Sequence, residues 1–373
     1  MTDITRRAAI VLPAALTAAA AAVVAAMPAI AEAAPVLELV ANFGHQVTGV
    51  GASPDGRIFV NFPRWEEDVA ISVAELSGDG MLTAYPNAEW NAWRNAKPLA
   101  NADHFVCVQS VVCDGHGKLW VVDAAAPGNA FELPGGPKLV GIDLATNAVV
   151  KTIPFGFDVM PQGSYLNDIR FTPDGKYGVL TDSGQVGALL TVDLEAGTVR
   201  RQLSGHPSTQ AEKGTVIQID GKPLVRPDGR SPTFAADGIA VDPDGKFVYW
   251  QALTGRTQYR IPVAVLLDAS RTEDQVAAAV ETLGKCPIAD GYYASRAGVL
   301  YTTSPEGNAV CRRAPDGTFP VVVRDDRLRW PDSIAEGKDG VMYVTASHVQ
   351  DMAQFKPDRG ATPLATALFR FKP

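Results

Sequence analysis

Asn167-Asp168-Ile169-Arg170-Phe171-Thr172-Pro173-Asp174-Gly175 reads as a strand running into a tight turn. Apolar Ile169 and Phe171 alternate with polar neighbours, Pro173 fixes a backbone torsion, and Gly175 accepts the left-handed conformation that ends the turn. The same pattern occurs at residues 48–56, 109–117, 237–245, 290–298 and 332–340, giving six copies. Pro-Asp-Gly closes the turn at Gly56, Gly175 and Gly245, and Lys-Asp-Gly closes it at Gly340. The six turn glycines are spaced 61, 58, 70, 53 and 42 residues apart. A four-stranded propeller blade with its turns takes roughly 40 to 50 residues, so each interval holds one blade and a loop insertion. The expected fold is therefore all-β, a six-bladed β-propeller that occupies residues 35–373 as one domain and closes its ring with strands from both chain ends. A β-sandwich also has short strands and frequent turns, but it lacks a six-fold repeat with a fixed internal motif. Helical periodicity over residues 263–283 predicts a short helical insertion between blades four and five, on the outside of the ring.

The first 34 residues differ from the rest. Arg6 and Arg7 precede an Ala-rich apolar run, and Ala31-Glu32-Ala33 has the small-x-small form of a signal-peptidase site. Pro13 and Pro28 interrupt the run and alanine is only weakly apolar, which argues against a permanent anchor. Residues 1–34 are thus expected to be an export signal of twin-arginine type, leaving a periplasmic or secreted protein with no membrane anchor once cleaved. A net charge of -8, from 33 Lys and Arg against 41 Asp and Glu, argues against nucleic acid as a partner. In an oxidising compartment the four cysteines would allow two disulfides, and Cys286 with Cys311 is the favoured pair, because Cys107 and Cys113 lie too far apart along one strand.

Eight residues before each turn glycine stand Thr48, Gln109, Asn167, Asp237, Asp290 and Asp332, all polar. Equivalent positions in equivalent blades face the same place, and if the motif strand is innermost that place is the axial channel. Three carboxylates held together there need a cation, protons or water. An oxygen-only donor set of Asn167, Asp237, Asp290 and Asp332 suits a hard divalent ion, Ca²⁺ ahead of Mg²⁺ or Mn²⁺. The alternative is that these residues cap strand starts and bond to backbone or water.

Tyr165-Leu166-Asn167-Asp168-Ile169-Arg170-Phe171, Thr181-Asp182-Ser183-Gly184, Gly205-His206-Pro207-Ser208-Thr209, Ala236-Asp237-Gly238-Ile239-Ala240 and Arg329-Trp330-Pro331-Asp332-Ser333 together resemble the bacterial branch of the major royal jelly / yellow protein family. The likeness runs through essentially the whole chain after residue 34. It implies a secreted six-bladed propeller, some of whose relatives bind small amines or other ligands at the channel mouth. More distantly the chain is similar to the gluconolactonase / senescence-marker propellers, which hydrolyse sugar lactones with one divalent metal. That likeness implies metal-binding roles for Asn167 and Asp237 and a substrate-side role for Gln109. The first-blade Glu of those enzymes is Thr48 here, and Asp290 and Asp332 could restore the charge only from the opposite side of the channel.

The expected function is binding of a small polar or aromatic ligand in the channel, with Thr48, Gln109, Asp290 and Trp330 as ligand contacts and a divalent ion beside it. The enzymatic alternative is metal-dependent lactone or ester hydrolysis with Asp237 or Asp332 as general base, and the third reading is a protein-interaction scaffold. The five histidines lack metal-ligand spacing; His206 reads as a loop residue, and His104 and His348 as candidates for the channel mouth.

Overall fold

The computed structural model describes residues 1–2, 35–360 and 364–373. The expected export segment falls outside them apart from its first two residues. Among the described residues no helix is long and apolar enough to cross a membrane.

Six four-stranded antiparallel sheets follow one another along the chain. Blade one runs Val50–Ala52, Ile58–Asn61, Val73–Leu76 and Leu82–Ala84. Blade two is Val108–Cys113, Lys118–Asp123, Lys138–Asp143 and Val149–Pro154, and blade three Leu166–Phe171, Tyr177–Asp182, Ala188–Asp193 and Val199–Gln202. Blade four is Ala236–Val241, Phe247–Ala252, Thr257–Pro262 and Glu281–Lys285. Blade five is Tyr292–Ala294, Leu300–Ser304, Ala309–Arg312 and Val321–Arg324. Blade six takes Pro331–Glu336, Met342–Ala346 and Thr366–Phe371 from the end of the chain and Glu38–Phe43 from its beginning. Glu38 pairs with Arg370 and Phe43 with Thr366, so both chain ends close the ring in a single sheet. This removes the free edge that a lone blade would expose.

The turn chemistry follows the sequence. In the third blade the Gly175 amide donates to the Thr172 carbonyl at 2.8 Å and Gly175 sits at φ 68°, a torsion that a Cβ makes costly. Apolar faces of successive blades pack on one another. Trp120, Val122 and Leu139 of blade two meet Ile169, Leu180 and Leu190 of blade three, and Tyr301 and Val310 of blade five meet Ile334, Val344 and Phe369 of blade six. Each blade thereby buries a face that it could not bury alone.

Two expectations are corrected. The helical segment lies within blade four, between its third and outermost strands, as two five-residue helices, Val263–Leu267 and Glu273–Ala277. Thr272 and Gln275 form a reciprocal capping box that starts the second helix afresh. The chain then returns as Glu281–Lys285, covering the edge of Thr257–Pro262. The cysteines are all free, including Cys286 and Cys311. Cys286 donates its Sγ–H to Gln251 Oε1 at 2.8 Å, while Cys311 stands within a blade-five strand opposite Thr302; each is held by its own sheet.

Candidate functional site

The six innermost strands surround the axis, and most begin with a break in register. Pairing with the second strand shifts between Val108 and Ser110, Leu166 and Ile169, Ala236 and Ile239, and Pro331 and Ile334. A bulge of this kind re-aims the side chains at the strand entrance, and each of these four bulges falls at the predicted ring residue. The bulges are held by a belt of contacts from blade to blade. Thr345 Oγ1 donates to the Thr48 carbonyl at 2.7 Å, Thr48 Oγ1 to Gln109 at 2.9 Å, Ser110 Oγ to Asn167 at 2.9 Å and Thr181 Oγ1 to Asp237 at 2.7 Å. At the remaining two joints Gly238 and Gly291 stand in the hydroxyl's place; a Cβ on them would lie 2.5 Å from the Asp290 carbonyl oxygen and 2.1 Å from that of Asp332. Only glycine lets the backbones approach so closely.

Held in this way, Gln109, Asn167, Asp237, Asp290 and Asp332 converge on the floor of one cavity of about 590 Å³ at the channel mouth. Thr48 does not join them. It is fully buried, its hydroxyl accepts from Asn61 Nδ2 at 2.9 Å and donates to the next blade, and it does not line the cavity. Its side chain is too short to hold the belt and also reach the axis, so five residues form the floor where six were expected.

Trp330, expected near the channel entrance, forms part of the wall. Its indole donates to Asp290 Oδ2 at 2.5 Å, and the residue adopts φ 50°, a conformation unusual for a bulky side chain. Opposite it runs a relay that the sequence did not single out. Trp65 Nε1 donates to Tyr165 Oη at 2.7 Å, Tyr165 Oη to Gln109 Oε1 at 2.9 Å, Gln109 Nε2 to Asn167 Oδ1 at 3.1 Å and Asn167 Nδ2 to Ser183 Oγ at 3.0 Å. Phe234, Leu253, Val349 and Met352 complete an apolar wall above the polar floor. Among the described residues no histidine lines the cavity: His206 bonds Ser208 Oγ at 2.8 Å, His104 the Ala100 carbonyl at 2.8 Å and His348 the Asp351 carboxylate at 3.1 Å.

The electrostatics of the floor are those of crowded, buried carboxyls. Asp237, Asp290 and Asp332 are 5%, 8% and 6% exposed. Burial, then the facing carboxylates of Asp290, Asp168 and Asp332, push Asp237 well above the usual carboxylate range. Asp332 is raised likewise by burial and by Asp290 and Asp168. Asp290 is lifted by burial to about 6, against the indole of Trp330 and a hydrogen bond from the Asp237 carboxyl, both of which favour its charged form. Below the floor Asp168 pairs with Arg170 at 3.2 Å, and Arg170 reaches on to the Tyr292 carbonyl at 2.7 Å.

The oxygen donors Asn167, Asp237, Asp290 and Asp332 have the right chemistry for a hard cation. As placed they do not form a cage: among the described residues no group of three His, Cys, Asp or Glu side chains could hold one ion, and Asn167 Oδ1 already accepts from Gln109.

A family model described as major royal jelly protein matches residues 106–362, more than half of the chain. Protein yellow of Drosophila melanogaster is 24% identical over 230 residues, which are 58% of this chain and 41% of the fly protein; the match spans less than half of that protein. Among solved structures, a gluconolactonase from Xanthomonas campestris has a TM-score of 0.52 at 11% identity, covering 91% of this chain and 89% of that one. Regucalcin, a calcium-binding protein from Agrobacterium tumefaciens, has a TM-score of 0.51 at 16% identity, covering 89% and 94%. At such identities these two similarities bear on the fold alone.

Proposed function

Because the chain belongs to the major royal jelly protein family, we propose that its channel mouth binds one small polar or aromatic ligand in an exported protein. The observation that carries this reading is the convergence of five polar ring residues beneath the Trp65, Phe234 and Trp330 walls of a single cavity of about 590 Å³. That volume lies within the range of small-molecule sites, and a few aimed polar groups under an apolar wall are what fix a ligand's orientation. Asp290 and Gln109 would take the polar end of the ligand, and Trp330 its ring.

Catalysis is the weaker reading. A general base at neutral pH must be deprotonated, and the surroundings of Asp237 and Asp332 favour their protonated forms. The calcium expectation rests on the same carboxylates, whose surroundings favour the neutral forms of Asp237 and Asp332 and which would have to ionise and close in on one point. Elemental analysis of purified protein tests it: an ion present in wild type and lost in Asp237→Ala supports a metal at the floor. Sugar-lactone turnover assayed with and without chelator tests the hydrolase.

The binding reading itself is tested by thermal unfolding against a panel of small polar and aromatic compounds. A true ligand at about a hundred times its Kd adds roughly 3 kcal/mol of stability, and that gain should vanish when Ser183→Trp fills the cavity. A panel in which no compound raises the unfolding temperature of wild type counts against ligand binding. The export proposal predicts that the mature N-terminus falls within a residue or two of Pro35; intact precursor in the cytoplasm of fractionated cells would oppose it.

A further inference from the structure

The cavity's acidic floor faces a single cation. Of the side chains lining it, Arg226 alone is cationic among the described residues, against the carboxyls of Asp237, Asp290 and Asp332 and that of Glu132, which accepts from the Gly163 amide at 3.3 Å. It belongs to the long insertion between blades three and four, residues 203–235, which passes over the channel mouth. A short hairpin, Gln218–Ile219 with Lys222–Pro223, stands in the middle of this insertion. Ile217 and Leu224 pin it to the cavity wall in one apolar cluster with Trp330, Leu253, Val349 and Met352. Two hydrogen bonds from Arg329 to Asp220, at 2.6 and 2.9 Å, tie down its tip. Arg226 follows Leu224 by two residues and opens a tight turn whose ends bond to each other, the Arg226 amide to the Arg230 carbonyl at 2.9 Å and the Gly229 amide to the Arg226 carbonyl at 2.8 Å. The backbone that carries Arg226 is therefore fixed.

Its guanidinium is not. Asp228, the acid of the same turn, is held by Arg230 through Nε at 2.7 Å and Nη2 at 2.6 Å. Other arginines are paired as well: Arg201, on the outermost strand of blade three, with Asp182 at 2.6 Å, and Arg256 with Glu306 at 2.6 Å. Arg226 is half-buried and makes no side-chain hydrogen bond or ion pair among the described residues. Asn129 and Gln185, on the same cavity lining, also hold no side-chain hydrogen bond among them. A partly desolvated guanidinium with five unused donors makes a ready seat for a carboxylate.

We infer that Arg226 forms an anion subsite at the rim, and that the cavity takes an aromatic ligand with a carboxylate at one end and a polar or cationic group at the other. This rests on the ligand-binding reading and deepens it. The anionic end would lie against Arg226, the ring between the aromatic walls, and the polar end on Gln109 and the Asp237–Asp290 pair. A ligand lacking the anion would leave Arg226 unpaired when the mouth is covered, and a charge desolvated without a partner is unfavourable.

The experiment is calorimetric titration of wild type and Arg226→Ala with tryptophan, tryptamine and indole-3-propionate, which share one ring and differ in their charged ends. Tryptophan should bind wild type about tenfold or more tighter than tryptamine, the value of one charge-assisted hydrogen-bonded contact. In Arg226→Ala that ratio should collapse toward one, and Arg226→Lys should restore part of it. Equal or tighter binding of tryptamine to wild type, or a ratio that survives Arg226→Ala, overturns the subsite while leaving ligand binding at the mouth in place. Absence of heat from all three compounds also overturns the inferred ligand class; ligand binding in general is then judged separately by the broader compound panel. Circular dichroism of each variant ensures that a lost ratio is not lost folding.

Discussion

Asp290→Asn isolates the electrostatics of the floor. Asn keeps the side chain's shape and an oxygen to accept from the Trp330 indole, and it removes the titration. In the folded protein Asp290 is raised from 3.8 to about 6. Its neutral form is the one that folding favours, so its contribution is full below pH 4 and is lost as pH rises through 6. Two pH units correspond to about 3 kcal/mol. Acids away from the floor that are held low by their partners, such as half-buried Asp351 at about 2, change stability in the opposite direction over a lower range, but they are common to both proteins and cancel in the difference. Urea unfolding of wild type and variant at pH 4 and pH 7 should therefore show Asp290→Asn gaining up to about 3 kcal/mol on wild type between those values. A difference that stays level, or that moves against the variant as pH rises, would refute the account of a buried carboxyl whose surroundings favour its neutral form.

Three more predictions probe how the floor is built. Gly291→Ala places a Cβ 2.1 Å from the Asp332 carbonyl oxygen and 3.3 Å from the Ser333 Cα; with backbone as the obstacle it should cost about 3 kcal/mol or more in urea unfolding, whereas Gly44→Ala, which meets nothing within 4 Å, should change little. Thr181→Val keeps the shape and removes the hydroxyl that the Asp237 carbonyl accepts from, and unfolding should report a loss of about 1–3 kcal/mol. Trp330→Phe keeps a ring and removes the indole N–H that favours ionised Asp290; the Asp290 titration, followed by carboxyl-carbon NMR, should move upward by about one pH unit.

The blade repeat was legible because it is local chemistry. A turn that needs a left-handed residue shows as glycine, and period-two alternation shows as strand, whatever lies far away in the chain. All six turn glycines do adopt positive φ, and the phase they set puts Gln109, Asn167, Asp237, Asp290 and Asp332 at one height along the chain's repeat. Trp330 could be placed beside them because it lies next to a ring position in the chain. The free edge of Thr257–Pro262 was less visible: helical propensity over residues 263–283 showed the insertion but not that the chain would return to finish the same blade.

Other features were settled only when distant segments met. Phase alone makes Thr48 equivalent to Gln109, yet its hydroxyl is taken by the neighbouring blade, a contact between residues 61 positions apart. Trp65 and Tyr165, 100 positions apart, look like ordinary blade aromatics until the ring closes and joins them above Gln109. Arg226 sits in a Pro- and Gly-containing insertion with no periodicity to mark it, and only the cavity reveals that it shares a lining with four acids. Repeat, turn and in-phase polarity belong to the sequence because each is decided within a few residues. Which side chains are held, which are left unpaired and how strongly a carboxyl retains its proton depend on burial and on neighbours supplied by other blades, and those exist only in the folded ring.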